Sequence, residues 1–168
     1  KLSIESVEMP TPKDHEVLLK VEASPINPSD LGLLISFAAD LSSITTEGSG
    51  DDKITTMNIL PALHKTMTAR FDKSMKVGNE GGGVVIDAGE TGKGLIGKTV
   101  GVAGGAMYSE YRCVPVDSCL VMNEGTSPKE AASSFVNPLT ALGFTETMQM
   151  ENHTAMIHTA AASNLGQM

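Results

Sequence analysis

The chain has 168 residues, 40% of them hydrophobic, with four histidines, two cysteines and a formal net charge of −8. That length allows one domain, or one domain and part of a second, with enough apolar residues for a packed core. The acidic balance argues against nucleic acid and anionic membranes as partners, because both are held by clustered Lys and Arg. No apolar run is long enough for a membrane span or a signal-peptide core.

Taken in order, "EVLLKVEAS" (16–24) alternates Val17, Leu19, Val21 and Ala23 against Leu18, Lys20 and Glu22, the period of a strand with one wetter face. "PINPSD" breaks it, and Ser29 or Asp30 is placed to cap a short helix through "LGLLIS". The excursion from 38 to 76 begins with "SSITTEGSGDDKITT", polar and Gly-containing, which reads as a mobile loop. It continues with Ile59, Leu63, Met67 and Phe71 at four-residue spacing, a helix with one apolar stripe that has Pro61 in its first turn.

"VGNEGGGVV" (77–85) then sets Asn79 and Glu80 ahead of three glycines, which calls for close backbone approach or unusual backbone angles. "VVIDAG", "GKTVGVAGG", "YSEYRCVPV" and "CLVM" read as successive strands, together a barrel-like β unit. In "SPKEAASSF", Ser127, Pro128 and Glu130 mark a helix start, and "NPLTALGFTETMQM" reads as a second helix. "TAMIHTAAASNLG" (154–166) reads as a short strand running into a small-residue turn, the opening of a βαβ unit. The start at Lys1 and the stop soon after this turn read as the ends of a fragment.

In their order, "ASPINPSD", "GNEGGGVVIDAG", "YSEYRCVP" and "FVNPLTAL" resemble the A-x-x-x-N-P-x-D, G-x-E-G-x-G-x-V and Y-A-E-Y motifs and the connecting helix of the medium-chain dehydrogenase/reductase family. The resemblance is to its zinc-free quinone oxidoreductase and enoyl reductase branch, and covers nearly all the chain except 38–76. It implies a mostly β fold with helices: a GroES-like barrel-like catalytic domain over 1–132, with 38–76 an insertion, and the start of a truncated Rossmann α/β nucleotide-binding domain over 133–168. It implies an NAD(P)H-dependent oxidoreductase acting on a quinone-like or α,β-unsaturated carbonyl compound, with the fragment inactive alone. The alternative is a non-catalytic GroES-like binding or folding module.

In zinc-dependent relatives three motif positions hold the catalytic metal, and here they are Asn27, Asn79 and Asn137. Neutral amides are not the ligands from which zinc sites are built, so no zinc is expected. The amides would instead position a nicotinamide or polarise a carbonyl. Thr140 matches a position near the nicotinamide. Ala161, Ser163 and Gly166 stand loosely where the dinucleotide fingerprint has its glycines, which resembles NADPH-preferring members, although NADH is not excluded. The cofactor would be held mainly by residues beyond Met168. Where enoyl reductases carry a proton-donating Tyr, this chain has "ISFAAD", so a quinone or other conjugated carbonyl is favoured as acceptor, and no catalytic residue is assigned.

Other residues have plainer readings. Asp30 is a cap, Glu80 structural, Tyr111 core, and Tyr108 a candidate to face substrate. His158 belongs to an apolar strand, while His15, His64 and His153 show no ligand spacing. Cys113 and Cys119 behave as small buried hydrophobes. A reducing cytoplasm is the expected location, and relatives suggest a homo-oligomer formed through the cofactor domain.

Overall fold

A computed structural model describes residues 1–168. The elements in chain order are β1 (Leu2–Ser3), β2 (Glu16–Ala23), α1 (Pro28–Leu34), β3 (Ala39–Glu47), β4 (Ile54–Ile59), α2 (His64–Met67), β5 (Glu80–Ala88), β6 (Thr99–Ala103), β7 (Tyr111–Pro115), β8 (Cys119–Val121), α3 (Pro128–Ala131) and α4 (Val136–Met150). The chain divides into two compact units: residues 1–9 with 26–77, and residues 10–25 with 78–168. It is a mixed fold of strands and helices, as the sequence leads one to expect.

The larger unit is an antiparallel five-stranded sheet in the order β7-β2-β5-β6-β8. Alternation in β2 sends Val17 and Leu19 inward, where they join Val85, Val100, Val102, Met107 and Val114 in one core. Each such side chain contributes about 1.5–3 kcal/mol on burial. Leu18, on the face expected to be wetter, is buried as well.

The glycine run answers a packing demand. Gly81, Gly82 and Gly83 are all part of β5 and buried. A Cβ on Gly82 would lie 2.3 Å from the Pro128 carbonyl oxygen and 2.6 Å from the Ala132 nitrogen, and one on Gly101 would lie 2.7 Å from the Ala131 oxygen. Two glycines on neighbouring strands therefore let α3 rest on the sheet backbone to backbone. A Cβ on Gly83 would meet the Lys20 oxygen of β2 at 2.0 Å. The close backbone approach that the glycines call for is made by the protein's own main chain, in β2 and at α3.

α3 starts as its sequence indicates. Ser127 is the cap, Pro128 opens the helix, and the Glu130 carboxylate accepts from the Ser127 N–H at 2.9 Å and the Ser127 hydroxyl at 2.7 Å. α4 follows with the boundaries expected, and Leu139 and Leu142 stay exposed.

The smaller unit holds the three-stranded antiparallel sheet β1-β4-β3. Here the expected mobile loop over 42–56 is instead most of a hairpin, turned at Gly48 and Gly50, both with positive φ. Its Thr and Ile residues are β-branched and pair across the strands, Thr46 with Thr55 through their hydroxyls at 3.2 Å, so strand pairing outweighs polarity. The expected helix over 59–71 is broken. Ile59 ends β4, a 3₁₀ turn occupies Pro61–Leu63, α2 is one turn long, and a second 3₁₀ turn spans Thr68–Arg70. Its four apolar residues are nevertheless half-buried, in keeping with a packing role.

One further expectation fails. Residues 154–160 form no strand, and Ile157 is almost fully exposed. Apolar residues alone do not make a strand, which needs a hydrogen-bonded neighbour, and none of the eight strands pairs with this segment. His158 accordingly lies in irregular chain just before a turn, where its Nδ1 accepts from the Ala160 N–H at 3.1 Å and its ring meets Phe144 edge-on.

Candidate functional site

Asn27 is buried and is the N-cap of α1, with Pro28 as first helical residue. The cap therefore stands earlier than Ser29 or Asp30. Asp30, three residues on and fully buried, accepts from the Asn27 N–H at 2.8 Å, half of a capping box. Both residues belong to the smaller unit.

Asn79 and Asn137 belong to the larger unit. Asn79 sits between Gly78, whose φ is +96°, and Glu80, the first residue of β5. Its carbonyl accepts from Gly104 N–H at 3.1 Å and Gly105 N–H at 3.2 Å, and the Gly78 carbonyl accepts from Met107 N–H at 3.1 Å. The loop between β6 and β7 thus grips the strand entry by its main chain. Tyr108 completes the grip. A Cβ on Gly78 would stand 2.6 Å from the Tyr108 nitrogen, and the Tyr108 hydroxyl donates to the Pro25 carbonyl at 3.0 Å. Tyr108, the candidate to face substrate, has its hydroxyl engaged in this bond.

Glu80 is the one buried acid of the larger unit. Its Oε2 accepts from the Phe135 N–H at 3.0 Å and the Val136 N–H at 2.9 Å. Helix α4 leaves its first N–H groups without internal partners, and a carboxylate there also meets the positive end of the helix dipole. The Ser24 hydroxyl donates to the Glu80 carbonyl, which ties in β2. Asn137, the second residue of α4, is half-buried and follows directly on the residue that Glu80 holds. Glu80 therefore joins the two segments that carry Asn79 and Asn137. The structural role read for Glu80 from the sequence has its partners here, although nothing in the sequence pointed to α4.

The remaining candidates are less engaged with this place. Thr140 is exposed and its hydroxyl donates to the Val136 carbonyl one turn back, at 2.6 Å. After α4, Ala161 lies in a turn, Ser163 in a bend and Gly166 in a 3₁₀ turn over Leu165–Gln167. Gly166 N–H donates to the Ser163 hydroxyl at 3.1 Å, and a Cβ on Gly166 would stand 2.5 Å from the Ala160 oxygen. A pyrophosphate cradle needs a strand, a tight turn and a helix N-terminus, whereas this segment closes on its own backbone. These residues as folded do not fit a dinucleotide. A cleft of about 240 Å³ in the same unit is lined by Ala23, Ser24, Pro25, Lys129, Ala132 and Ser133.

No group of three or more His, Cys, Asp or Glu side chains is placed to share a metal ion. Cys113 and Cys119 are both unpaired thiols, partly buried. Burial raises the Cys113 pKa, with Glu16 adding to the shift, and raises that of Cys119 to about 11. No helix is long and apolar enough to cross a membrane.

No family model and no curated protein matches the chain. Solved structures do. A protein assigned as an NADPH:quinone reductase from Mesorhizobium loti matches with a TM-score of 0.65 and 25% identity, over 95% of this chain and 40% of that one. Escherichia coli quinone oxidoreductase, solved with NADPH, matches with a TM-score of 0.57 and 19% identity over 96% of this chain and 42% of its own. The CurK enoyl reductase matches with a TM-score of 0.61 and 20% identity over 99% of this chain and 48% of its own. The chain thus spans less than half the length of each of these neighbours. Over the part it covers, the chain has the fold of the medium-chain dehydrogenase/reductase family, in the form taken by quinone oxidoreductases and enoyl reductases.

Proposed function

We propose that these 168 residues are the catalytic-domain portion of a zinc-independent, NAD(P)H-dependent oxidoreductase that reduces a quinone-like or α,β-unsaturated carbonyl compound. The observation that carries this reading is the amide at each of three motif-matched metal positions, Asn27, Asn79 and Asn137, within a fold shared with quinone oxidoreductases. Each amide offers two N–H donors to a carbonyl oxygen and none offers a thiolate or imidazole to zinc. Donors held in place beforehand stabilise negative charge growing on that oxygen without reorganising. In this reading residues 1–132 form the catalytic domain, with 38–76 inserted, and 133–168 lead into a nucleotide-binding domain.

NADPH, with NADH as the other choice, would supply hydride. Because Ala161, Ser163 and Gly166 as folded make no cradle for it, the dinucleotide is assigned mainly to residues outside this chain, and the 168 residues alone are expected to be inactive. The same observation favours a second reading for the chain taken by itself, a non-catalytic module of this fold. Titration of NADPH and NADH, followed by cofactor fluorescence, separates the two when run on this chain and on a version extended to the next stop codon. Binding by the extended version supports the oxidoreductase and identifies the coenzyme. No binding by either version overturns it, and turnover of NADPH by the 168-residue chain refutes the assignment of the cofactor elsewhere.

A further inference from the structure

Two of the three amides, Asn79 and Asn137, stand on segments far apart in sequence, and one side chain joins those segments. Asn79 is bonded covalently to Glu80, and the Glu80 carboxylate accepts from the N–H groups of Phe135 and Val136, the residues immediately before Asn137. Those two bonds span 55 and 56 positions of sequence. Glu80 is itself fixed. It is buried, paired with Ala103 in the sheet, and its carbonyl takes the Ser24 hydroxyl. On the other side, Asn79 is held by Gly104 and Gly105 N–H groups on its carbonyl. A simple helix cap needs only a polar group near the first turn; this one places the first turn of α4 directly beside the strand entry.

We propose that Glu80 is the positioning residue of the amide site, setting Asn137 relative to Asn79 through the N-terminal N–H groups of α4. The proposal rests on the oxidoreductase reading for what the amides do, but not for how they are held. Charge-assisted bonds to backbone N–H groups are stronger and shorter than neutral ones, so a carboxylate fixes the helix end more firmly than an amide of the same size. The loss of one such anchor lets the helix end shift, and a small displacement of a donor weakens its bond to a carbonyl oxygen.

The test uses the isotope-labelled 168-residue chain and 2-cyclohexenone as the probe. In the native sequence the Phe135 and Val136 amide protons are expected downfield of their helical neighbours, and added enone should move the side-chain NH₂ signals of Asn79 and Asn137 together. Glu80→Gln, nearly the same size and neutral, should bring both backbone amides upfield, displace both NH₂ pairs, and weaken enone binding about tenfold. The core methyl signals of Val17 and Val100 should stay in place. Backbone amides that move while the Asn79 and Asn137 NH₂ pairs and the enone affinity do not would reduce Glu80 to a helix cap and overturn the proposal. Glu80→Asp keeps the charge but loses reach, and serves if Glu80→Gln does not fold. It should displace the same NH₂ pairs, and native positions for them would equally overturn the proposal. An enone that moves nothing in the native chain defeats the oxidoreductase reading alone, since displacement of the NH₂ pairs by Glu80→Gln still decides the positioning role.

Discussion

Gly82 and Ala132 meet through main chain alone: a side-chain carbon on Gly82 would lie 2.6 Å from the Ala132 nitrogen. The Pro128 oxygen would be nearer still, at 2.3 Å. Neither atom belongs to a side chain that could rotate away, so α3 would have to lift from the sheet. Gly82→Ala is therefore expected to destabilise the chain by about 1–3 kcal/mol, the range for overpacking a close contact. Gly94 has open space around it and a φ outside the left-handed region, so Gly94→Ala should be neutral or stabilising by up to about 1 kcal/mol. Urea midpoints of the two variants check the contrast. Equal midpoints would show that the glycine run is not a packing device.

Why some of this was legible and some was not follows from the range of each interaction. The start of α3 is written in four consecutive residues, Ser127 to Glu130, because its capping box is local. β2 is legible from its own alternation. The hairpin of β3 and β4 is hard to read because most of its strand residues are polar and β3 is largely exposed on both faces, which removes the apolar alternation that marks a half-buried strand. Residues 154–160 misled in the opposite way, since their apolar content is strand-like but no strand is there to bond them. At the candidate site the three amides could be found by motif. The bonds from Glu80 to Phe135 and Val136 could not, because they depend on how β5 and α4 come together.

Helix α4 carries an apolar face with nothing on it. Leu139 is 57% exposed, Leu142 54% and Met150 78%, and their spacing of three and eight residues puts them on one side. Exposed apolar surface of this kind favours association. Sedimentation of the 168-residue chain is expected to show a mass that rises with concentration, and Leu139→Lys with Leu142→Lys should lower it toward the monomer. A single monomeric species over a hundredfold range of concentration would count against this.

The thiols should be slow to react. With the Cys119 pKa raised from 9.0 to about 11 by burial, the thiolate fraction near pH 8 falls roughly a hundredfold below that of an ordinary thiol. Cys113 is shifted in the same direction. Alkylation followed by mass spectrometry should label Cys119 at least tenfold faster in urea than in buffer, while comparable rates in both would contradict its burial. The sign for stability follows. A raised folded pKa means that the unfolded chain gives up its proton first, so this contribution is complete below pH 9 and is lost as pH rises toward about 11.

At the acid end the sign reverses at Glu130. Hydrogen bonds from the Ser127 backbone, and then from its side chain, hold the Glu130 pKa below its usual 4.5. A lowered folded pKa gives a stabilising contribution that is present above the unfolded value and is lost as pH falls through the folded one. Because Glu130 is exposed, solvent screens it and the effect should be local to α3. Amide exchange at Ala131 and Ala132, whose N–H groups donate to Ser127 and Pro128, should therefore quicken relative to the core strands as pH falls below about 4.5. Glu130→Gln removes the titrating group and should flatten that dependence. If the variant keeps the native pH profile, another carboxylate governs the helix start, and the capping box is incidental to it.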